Sequence, residues 1–298
     1  MKILVIGATG FIGQNLVGYL VDNNHIVYAI ARESSKISKI DNRANIFRYN
    51  KNINSLMEFF EKEKFDGIVH LASLFLVSHK LEDISSLIDS NIKFGTELLE
   101  CAKLSNVKWF INTGTFWQNY NNDDYNPVNL YAATKEAFEK IAKYYTQTSN
   151  LIFTTIKLND TFGPNDTRSK VFNLWQKISK SGETLDMSKG DQVIDISYIE
   201  DVVSAYVKLI EHLNSKDALK FNQKSFVVSN KEKYTLKELA KIYEEVSGCE
   251  LNINWGAREY RKREVMMPYN KGELVPGWKQ KYSLKEAIKK FIDNGGLK

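Results

Sequence analysis

Lys2-Ile3-Leu4-Val5-Ile6-Gly7-Ala8-Thr9-Gly10-Phe11-Ile12-Gly13 stands at the head of the chain, and its reading decides the fold. Residues 2–6 are an apolar, β-branched run of the kind that forms a central parallel strand buried on both faces. Glycines at 7, 10 and 13 follow at once, and an amphipathic helical pattern runs on to about Val21. Such glycines let the backbone turn tightly, come close to a pyrophosphate and pack helix on strand, while the helix N-terminus turns free N–H groups to the anion. The spacing is G-x-x-G-x-x-G rather than G-x-G-x-x-G, so strand before and helix after are what mark it as a dinucleotide cradle. Gly7, Thr9, Gly10, Phe11, Ile12 and Gly13 are therefore candidate cofactor contacts.

The alternation continues downstream. His25 to Ile30 reads as a second strand, Asn45 to Arg48 as a third, Gly67 to Ala72 as a fourth, Lys108 to Asn112 as a fifth and Leu151 to Leu158 as a sixth. Helical stretches over about 53–64, 82–104 and around Tyr131 separate them. Alternating strands and helices predict an α/β fold, a doubly wound parallel sheet of Rossmann type with right-handed crossovers. After Gly163-Pro164 the pattern breaks into short helices and strands with charged linkers. The expected organisation is a dinucleotide-binding domain over 1–164, with returning segments over about 196–229. A smaller, discontinuous C-terminal α/β substrate domain takes 165–195 and 230–298, and its last helix, from Ser283, stops at Gly295.

In such a sheet the cofactor lies along the C-terminal strand edge. Leu71, Ala72 and Ser73 end the fourth strand there, and Asn91 lies in the helix that follows. Arg32 ends the second strand, where an acid would hydrogen-bond the 2′-hydroxyl of NAD and an arginine accommodates the 2′-phosphate of NADP. Arg32, with Ser34 and Ser35 as further donors, selects NADPH over NADH; Glu33 is the NAD acid if the loop register shifts by one.

Asn129-Leu130-Tyr131-Ala132-Ala133-Thr134-Lys135 places a phenol and an ammonium one helical turn apart on one face. A lysine beside a tyrosine favours phenolate and pulls a pKa near 10 toward a usable acid. Thr113, at the end of the fifth strand, can hydrogen-bond a substrate carbonyl and share it with Tyr131. Tyr-x-x-x-Lys occurs by chance on many helices, and its weight comes from the glycine turn and threonine that precede it in order. The late basic stretch Arg258-Glu259-Tyr260-Arg261-Lys262-Arg263 offers cations to a phosphorylated substrate.

Composition narrows the class. The 298 residues, 43% hydrophobic and 26% charged, match an ordinary soluble protein able to bury a large core. A net charge of +5, spread along the chain, points mildly to an anionic ligand and away from nucleic acid. Cys101 and Cys249 stand far apart with no metal-ligand spacing, as free thiols in a reducing cytoplasm. No apolar run has transmembrane length, and no signal peptide precedes the first strand, so the expected location is cytoplasmic without membrane or metal.

With these residues in hand, the chain resembles an extended short-chain dehydrogenase/reductase of the NAD(P)-dependent epimerase/dehydratase family, nearly end to end. His70-Leu71-Ala72, Asn91, Phe162-Gly163-Pro164, Tyr198-Ile199-Glu200-Asp201-Val202, Tyr260-Arg261 and Gly277-Trp278 add to the three core motifs. Within the family, residues 114–118, 129–135 and 160–168 most resemble the CDP-abequose and CDP-paratose synthase group of 4-ketoreductases. The resemblance implies NADPH-dependent reduction, at C4, of a CDP-, dTDP- or GDP-linked deoxyhexulose, in deoxysugar biosynthesis for surface polysaccharide such as the O-antigen of lipopolysaccharide. It implies Thr113, Tyr131 and Lys135 as catalytic residues, with Tyr131 and Lys135 also touching the cofactor, and Thr115, Asp160, Arg168 and Arg261 as substrate contacts. It also implies a homodimer through the helices near 82–104 and 129–149.

Three departures stand out. Trp117-Gln118 replaces Tyr-Gly; Asp160 replaces an asparagine that touches the substrate diphosphate, so a cation such as Arg168 must neutralise it; and Ile194-Asp195-Ile196 replaces Arg-Asp-Phe. Dehydratases of the family carry Asp-Glu where Gly114 and Thr115 stand, which disfavours dehydration. Two alternatives stay open: a 4-epimerase with tightly held NAD, and a non-catalytic NADPH-binding regulator.

Overall fold

The computed structural model describes residues 1–294; the glycine stop expected at Gly295 lies outside the described residues. β1 (Lys2–Ile6) runs through the glycine turn into α1 (Phe11–Asp22). β2 (Ile26–Arg32), β3 (Asn45–Tyr49), α2 (Ile53–Glu63), β4 (Gly67–His70), α3 (Asp83–Ile88), α4 (Phe94–Leu104), β5 (Trp109–Thr115), α5 (Leu130–Thr148) and β6 (Ile152–Leu158) follow. Next come β7 (Asp160–Phe162), α6 (Val171–Ser181), β8 (Leu185–Met187), β9 (Val193–Ile194), β10 (Ile196–Tyr198) and α7 (Ile199–Leu213). β11 (Ser225–Val228), β12 (Tyr234–Thr235), α8 (Leu236–Ser247), β13 (Ile253–Trp255), β14 (Glu273–Leu274) and α9 (Leu284–Asn294) complete the described chain.

Eight strands form one parallel sheet in the order β14-β11-β6-β5-β4-β1-β2-β3. The order reverses between β1 and β4, and in such sheets ligands bind in the crevice outside the strand C-termini at that switch point. Three short ladders, β7 with β10, β9 with β12 and β8 with β13, stand outside the main sheet.

Strand period places the core on both faces. Ile3, Val5, Ile111 and Ile156 pack with Leu16 of α1 and Val202 and Tyr206 of α7, while Leu4, Ile6, Ile68 and Phe110 pack with Phe60, Leu99 and Phe138 of α2, α4 and α5. All fourteen of these side chains are shut off from solvent, which is why β1 and β5 read as unbroken apolar runs.

Two local differences from the sequence reading bear on the site. The helix expected over 82–104 is broken by a π turn at Asp89–Lys93, and such turns re-aim side chains. β5 runs three residues past Asn112, so Thr113 and Thr115 lie inside the strand and share one face. No helix among the described residues is long and apolar enough to cross a membrane.

Candidate active site

The glycine turn is shaped by close approach. Gly7 has φ +87°, and a Cβ there would sit 2.7 Å from the Ala72 nitrogen; one on Gly13 would sit 2.2 Å from the Gly7 carbonyl oxygen. Glycine at both positions lets the β1–α1 turn close against the end of β4. α1 starts at Gly10 with no side-chain cap and no acidic residue in its first turn, so its N–H groups face the switch-point crevice unopposed. That fits a dinucleotide pyrophosphate. Leu71, whose N–H donates to the Ile6 carbonyl at 2.8 Å, leads Ala72 and Ser73 along the same edge. Arg32 is exposed at the end of β2, and Arg48 shapes the loop beside it by donating to the carbonyls of Arg32, Glu33 and Ser35 at 2.9, 3.3 and 3.0 Å.

The π turn aims Asn91 inward. Its Oδ1 accepts from Leu74 N–H at 2.7 Å, and its Nδ2 donates to the Leu74 carbonyl and to Thr134 Oγ1, both at 3.0 Å. Asn91 thus clamps the loop after β4 to α5, with the Ser73 hydroxyl 3.4 Å away. Asn129 caps α5 through Ala132 N–H and holds the Leu76 and Val77 carbonyls at 3.0 and 2.8 Å. Between these two anchors the loop presents Phe75, which sequence reading passed over because an exposed loop phenylalanine carries no period.

Tyr131 is partly exposed, with the edge of Phe75 against its ring at 5.0 Å and 84°. Burial pushes its phenol up to about 12, while the hydroxyls of Ser73 and Thr115, aimed at it, pull the other way. Lys135, one turn on and buried, is drawn down to about 8 by burial, with Glu139 opposing. The expected lowering of the phenol by Lys135 is therefore not what governs the site; loss of water around both groups is. At neutral pH Tyr131 holds its proton and Lys135 its charge. Behind them His70 is buried between Phe110 and Phe138, with neither ring nitrogen hydrogen-bonded among the described residues. Burial, and then the Lys135 charge, hold His70 down at about 3, hence neutral.

The two threonines divide. Thr115 lies beside the Tyr131 hydroxyl, whereas Thr113 Oγ1 meets the hydroxyl of Tyr206, buried on α7, at 2.7 Å. Tyr206 was hidden in sequence because its helical spacing is that of a core residue.

Outward from Tyr131, Phe75 meets Trp117 at 5.4 Å, the Arg261 guanidinium lies 5.4 Å from the Trp117 ring, and Lys170 Nζ lies 5.3 Å from the Phe75 ring. Lys170 pairs with Asp160 at 2.7 Å, and Arg261 forks onto Glu264 at 2.8 and 2.7 Å, with Asp160 close enough to hold its charge further. Arg168, expected to neutralise Asp160, does something else: it grips Asp166 through Nε and Nη2 at 2.8 Å each and lies 4.6 Å over the ring of Phe11. The neutralising cation is Lys170, two residues further, because the turn after β7 folds Arg168 back onto its own loop. Of the basic stretch, Arg263 stacks on Tyr120 at 4.3 Å, and Arg258 and Lys262 lie exposed. Among the described residues no group of three or more His, Cys, Asp or Glu is placed to hold a metal ion.

The family described as NAD dependent epimerase/dehydratase matches residues 3–223. CDP-abequose synthase of Yersinia pseudotuberculosis is 27% identical over 295 residues, 98% of each chain, and that of Salmonella muenchen is 27% identical over 98% of this chain and 97% of its own. Among solved structures, UDP-glucose 4-epimerase of Thermotoga maritima superposes with a TM-score of 0.86 at 22% identity, 98% of both chains covered. UDP-glucuronic acid 4-epimerase of Bacillus cereus, solved with UDP-glucuronic acid and NAD, gives 0.84 at 20%, again over 98% of both. Those structural likenesses speak for the fold; the family match spans most of the chain, residues 129–135 included. The chain belongs to the NAD dependent epimerase/dehydratase family and is an NAD(P)-dependent enzyme of the oxidoreductase type.

Proposed function

We propose that the protein reduces the C4 keto group of a nucleotide-linked deoxyhexulose with NADPH. The observation that carries this is a protonated, partly exposed Tyr131 set between a dinucleotide cradle on one side and the cations Lys170 and Arg261 on the other. The bound dihydronicotinamide supplies the hydride. The glycine turn and α1 hold its pyrophosphate, and Arg32 pairs with the 2′-phosphate.

Tyr131 gives its proton to the carbonyl oxygen. Tyr206 and Thr113 share one hydrogen bond at 2.7 Å, and when the phenol is its donor the Thr113 hydrogen is free for the carbonyl oxygen. Lys135, charged and one helical turn on, favours the phenolate left behind. Phe75 and Trp117 give the sugar an apolar wall that suits carbons without hydroxyls. Lys170 and Arg261 exchange Asp160 and Glu264 for the diphosphate.

The first domain on this reading is 1–164 with segments over about 196–229, and the sugar nucleotide sits against 165–195 and 230–298. Exposed Ile84, Ile88, Leu104 and Tyr144 on α3, α4 and α5 support a homodimer through those helices. The relatives named CDP-abequose synthase support a role in deoxysugar biosynthesis for surface polysaccharide. A second reading, 4-epimerase, is favoured by the likeness to UDP-sugar 4-epimerase folds; Arg32 in the place of the NAD acid favours the reductase.

The test is NADPH absorbance on mixing with CDP-, dTDP- and GDP-linked 4-keto-6-deoxyhexoses. Stoichiometric loss with one of them supports the proposal. No loss with any, together with interconversion of sugar epimers in the presence of NAD, overturns it in favour of the epimerase.

A further inference from the structure

Tyr131 and Lys135 share α5 with two carboxylates that the reaction above does not use. Gln118, a departure of this chain from the family pattern, donates through Nε2 to Glu136 at 2.7 Å and to Glu139 at 2.9 Å, while its Oε1 accepts from Thr115 N–H at 2.8 Å. Lys157 of β6, buried with Nζ donating to Asn119 Oδ1 at 2.8 Å, faces the same carboxylates. Lys135 and Lys157 balance Glu136 and Glu139, which is what lets four ionisable groups stay together largely out of water. Lys140 pairs with Glu136 at 2.9 Å from the solvent side.

Beyond Glu139 lies a cavity of about 320 Å³ over the first half of β6, lined by Glu139, Thr155 and Ser225, with the exposed Lys140, Lys143 and Lys224 at its mouth. It opens two turns along α5 from Tyr131, away from the C-terminal strand edge where dinucleotide and sugar would sit. Each reductive turnover removes one proton from Tyr131, and two bound substrates fill the cleft through which water would restore it.

We propose that Glu139 is the proton entrance of this enzyme, relaying protons from water in the α5–β6 cavity through Lys135 to Tyr131. The inference rests on the ketoreductase reading, since an epimerase hands the same proton back. The Tyr131 O–H breaks as the product O–H forms; the phenolate takes a proton from the Lys135 ammonium; cavity water protonates the Glu139 carboxylate, its hydroxide leaving to bulk buffer; and the Lys135 amine takes that proton, which returns Glu139 to carboxylate. Water between the side chains carries each hop. Burial raises the Glu139 carboxyl and lowers Lys135, so donor and acceptor are brought closer in proton affinity.

Two measurements on the whole chain test this. In protein without substrate, the ¹³Cε signal of Lys135, assigned with Lys135→Arg, is followed against pH in wild type and in Glu139→Gln. The coupling requires the Lys135 midpoint to drop when the carboxylate is gone, and an unmoved midpoint overturns the proposal whatever the substrate. In rapid mixing with NADPH and the keto sugar nucleotide, Glu139→Gln keeps its first turnover within about twofold of wild type and slows later turnovers by about tenfold or more, most at high pH. Glu139→Ala regains later turnovers with acetate, which fits the cavity, and Glu139→Asp, which keeps the carboxylate if Gln disturbs folding, regains them without it. Equal slowing of first and later turnovers, or no rescue by acetate or aspartate, overturns the relay. A wild type that consumes no NADPH counts instead against the ketoreductase reading, and the Lys135 titration then decides the coupling.

Discussion

Replacing Asp160 by Asn removes one of the two carboxylates that hold the cations of the proposed phosphate site. The Lys170–Asp160 pair, at 2.7 Å with side chains 32% and 47% exposed, is open enough to water that it contributes only about 0–1 kcal/mol to folding. The variant should therefore melt within a few degrees of wild type. Its effect on an anion is larger. A carboxylate about 5 Å from a phosphate oxygen, at an effective dielectric between about 20 and 80, repels it by about 1–3 kcal/mol. Relief of that repulsion, with Lys170 freed, predicts nucleoside diphosphate binding tighter by about 5- to 150-fold. Calorimetric titration of CDP, dTDP, GDP and UDP, at low and high salt, reads it directly, with the gain shrinking at high salt. Lys170→Met should weaken binding, and the double variant should return near wild type. An Asp160→Asn protein that binds the diphosphates no tighter, or gains equally for an uncharged nucleoside, would refute the assignment of Lys170 and Asp160 to the phosphate site.

Tyr206→Phe leaves the fold intact but frees the Thr113 hydroxyl to point elsewhere, so kcat should fall about tenfold while KM for NADPH stays put, as steady-state kinetics would show; an unchanged kcat removes Tyr206 from the reaction. Lys135 has its folded pKa lowered from 10.5 to about 8, so the unfolded chain binds more protons between those values: the penalty is full below pH 8 and fades as pH rises to 10.5. Lys135→Met should accordingly raise thermal stability at pH 7, by up to about 3 kcal/mol, with the gain disappearing toward pH 10.5 in calorimetric scans. Arg32→Asp should shift the kcat/KM ratio from NADPH toward NADH by about 10²-fold or more, and a ratio that does not move places the 2′-phosphate contact elsewhere.

The glycine turn and the Tyr131–Lys135 spacing were legible because each is a local pattern whose physics is local: close backbone approach in one case, one helical turn in the other. What was illegible arises from chain segments far apart in sequence. The π turn at Asp89–Lys93 leaves the apolar period of its helix undisturbed, so nothing in residues 82–104 announced that Asn91 would clamp Leu74 and Thr134. Arg168 and Lys170 look interchangeable as cations two residues apart; only the fold of the turn after β7 sends one to Asp166 and the other to Asp160. Tyr206 is spaced like the core side chains around it, and β14 is two residues long and, among the described residues, pairs only with β11. The upward shift of the Tyr131 phenol is illegible for the same reason: charge proximity is visible in a sequence, and burial is not.

The most direct measurement of the central claim is to supply NADPH deuterated at its transferable position together with the keto sugar nucleotide and to read the product by NMR. The account predicts one deuterium on the carbon that gains the hydroxyl, with NADP formed in equal amount, and loss of that transfer in Tyr131→Phe that still binds the cofactor. Sugar epimers appearing without deuterium and without net NADPH oxidation would contradict it.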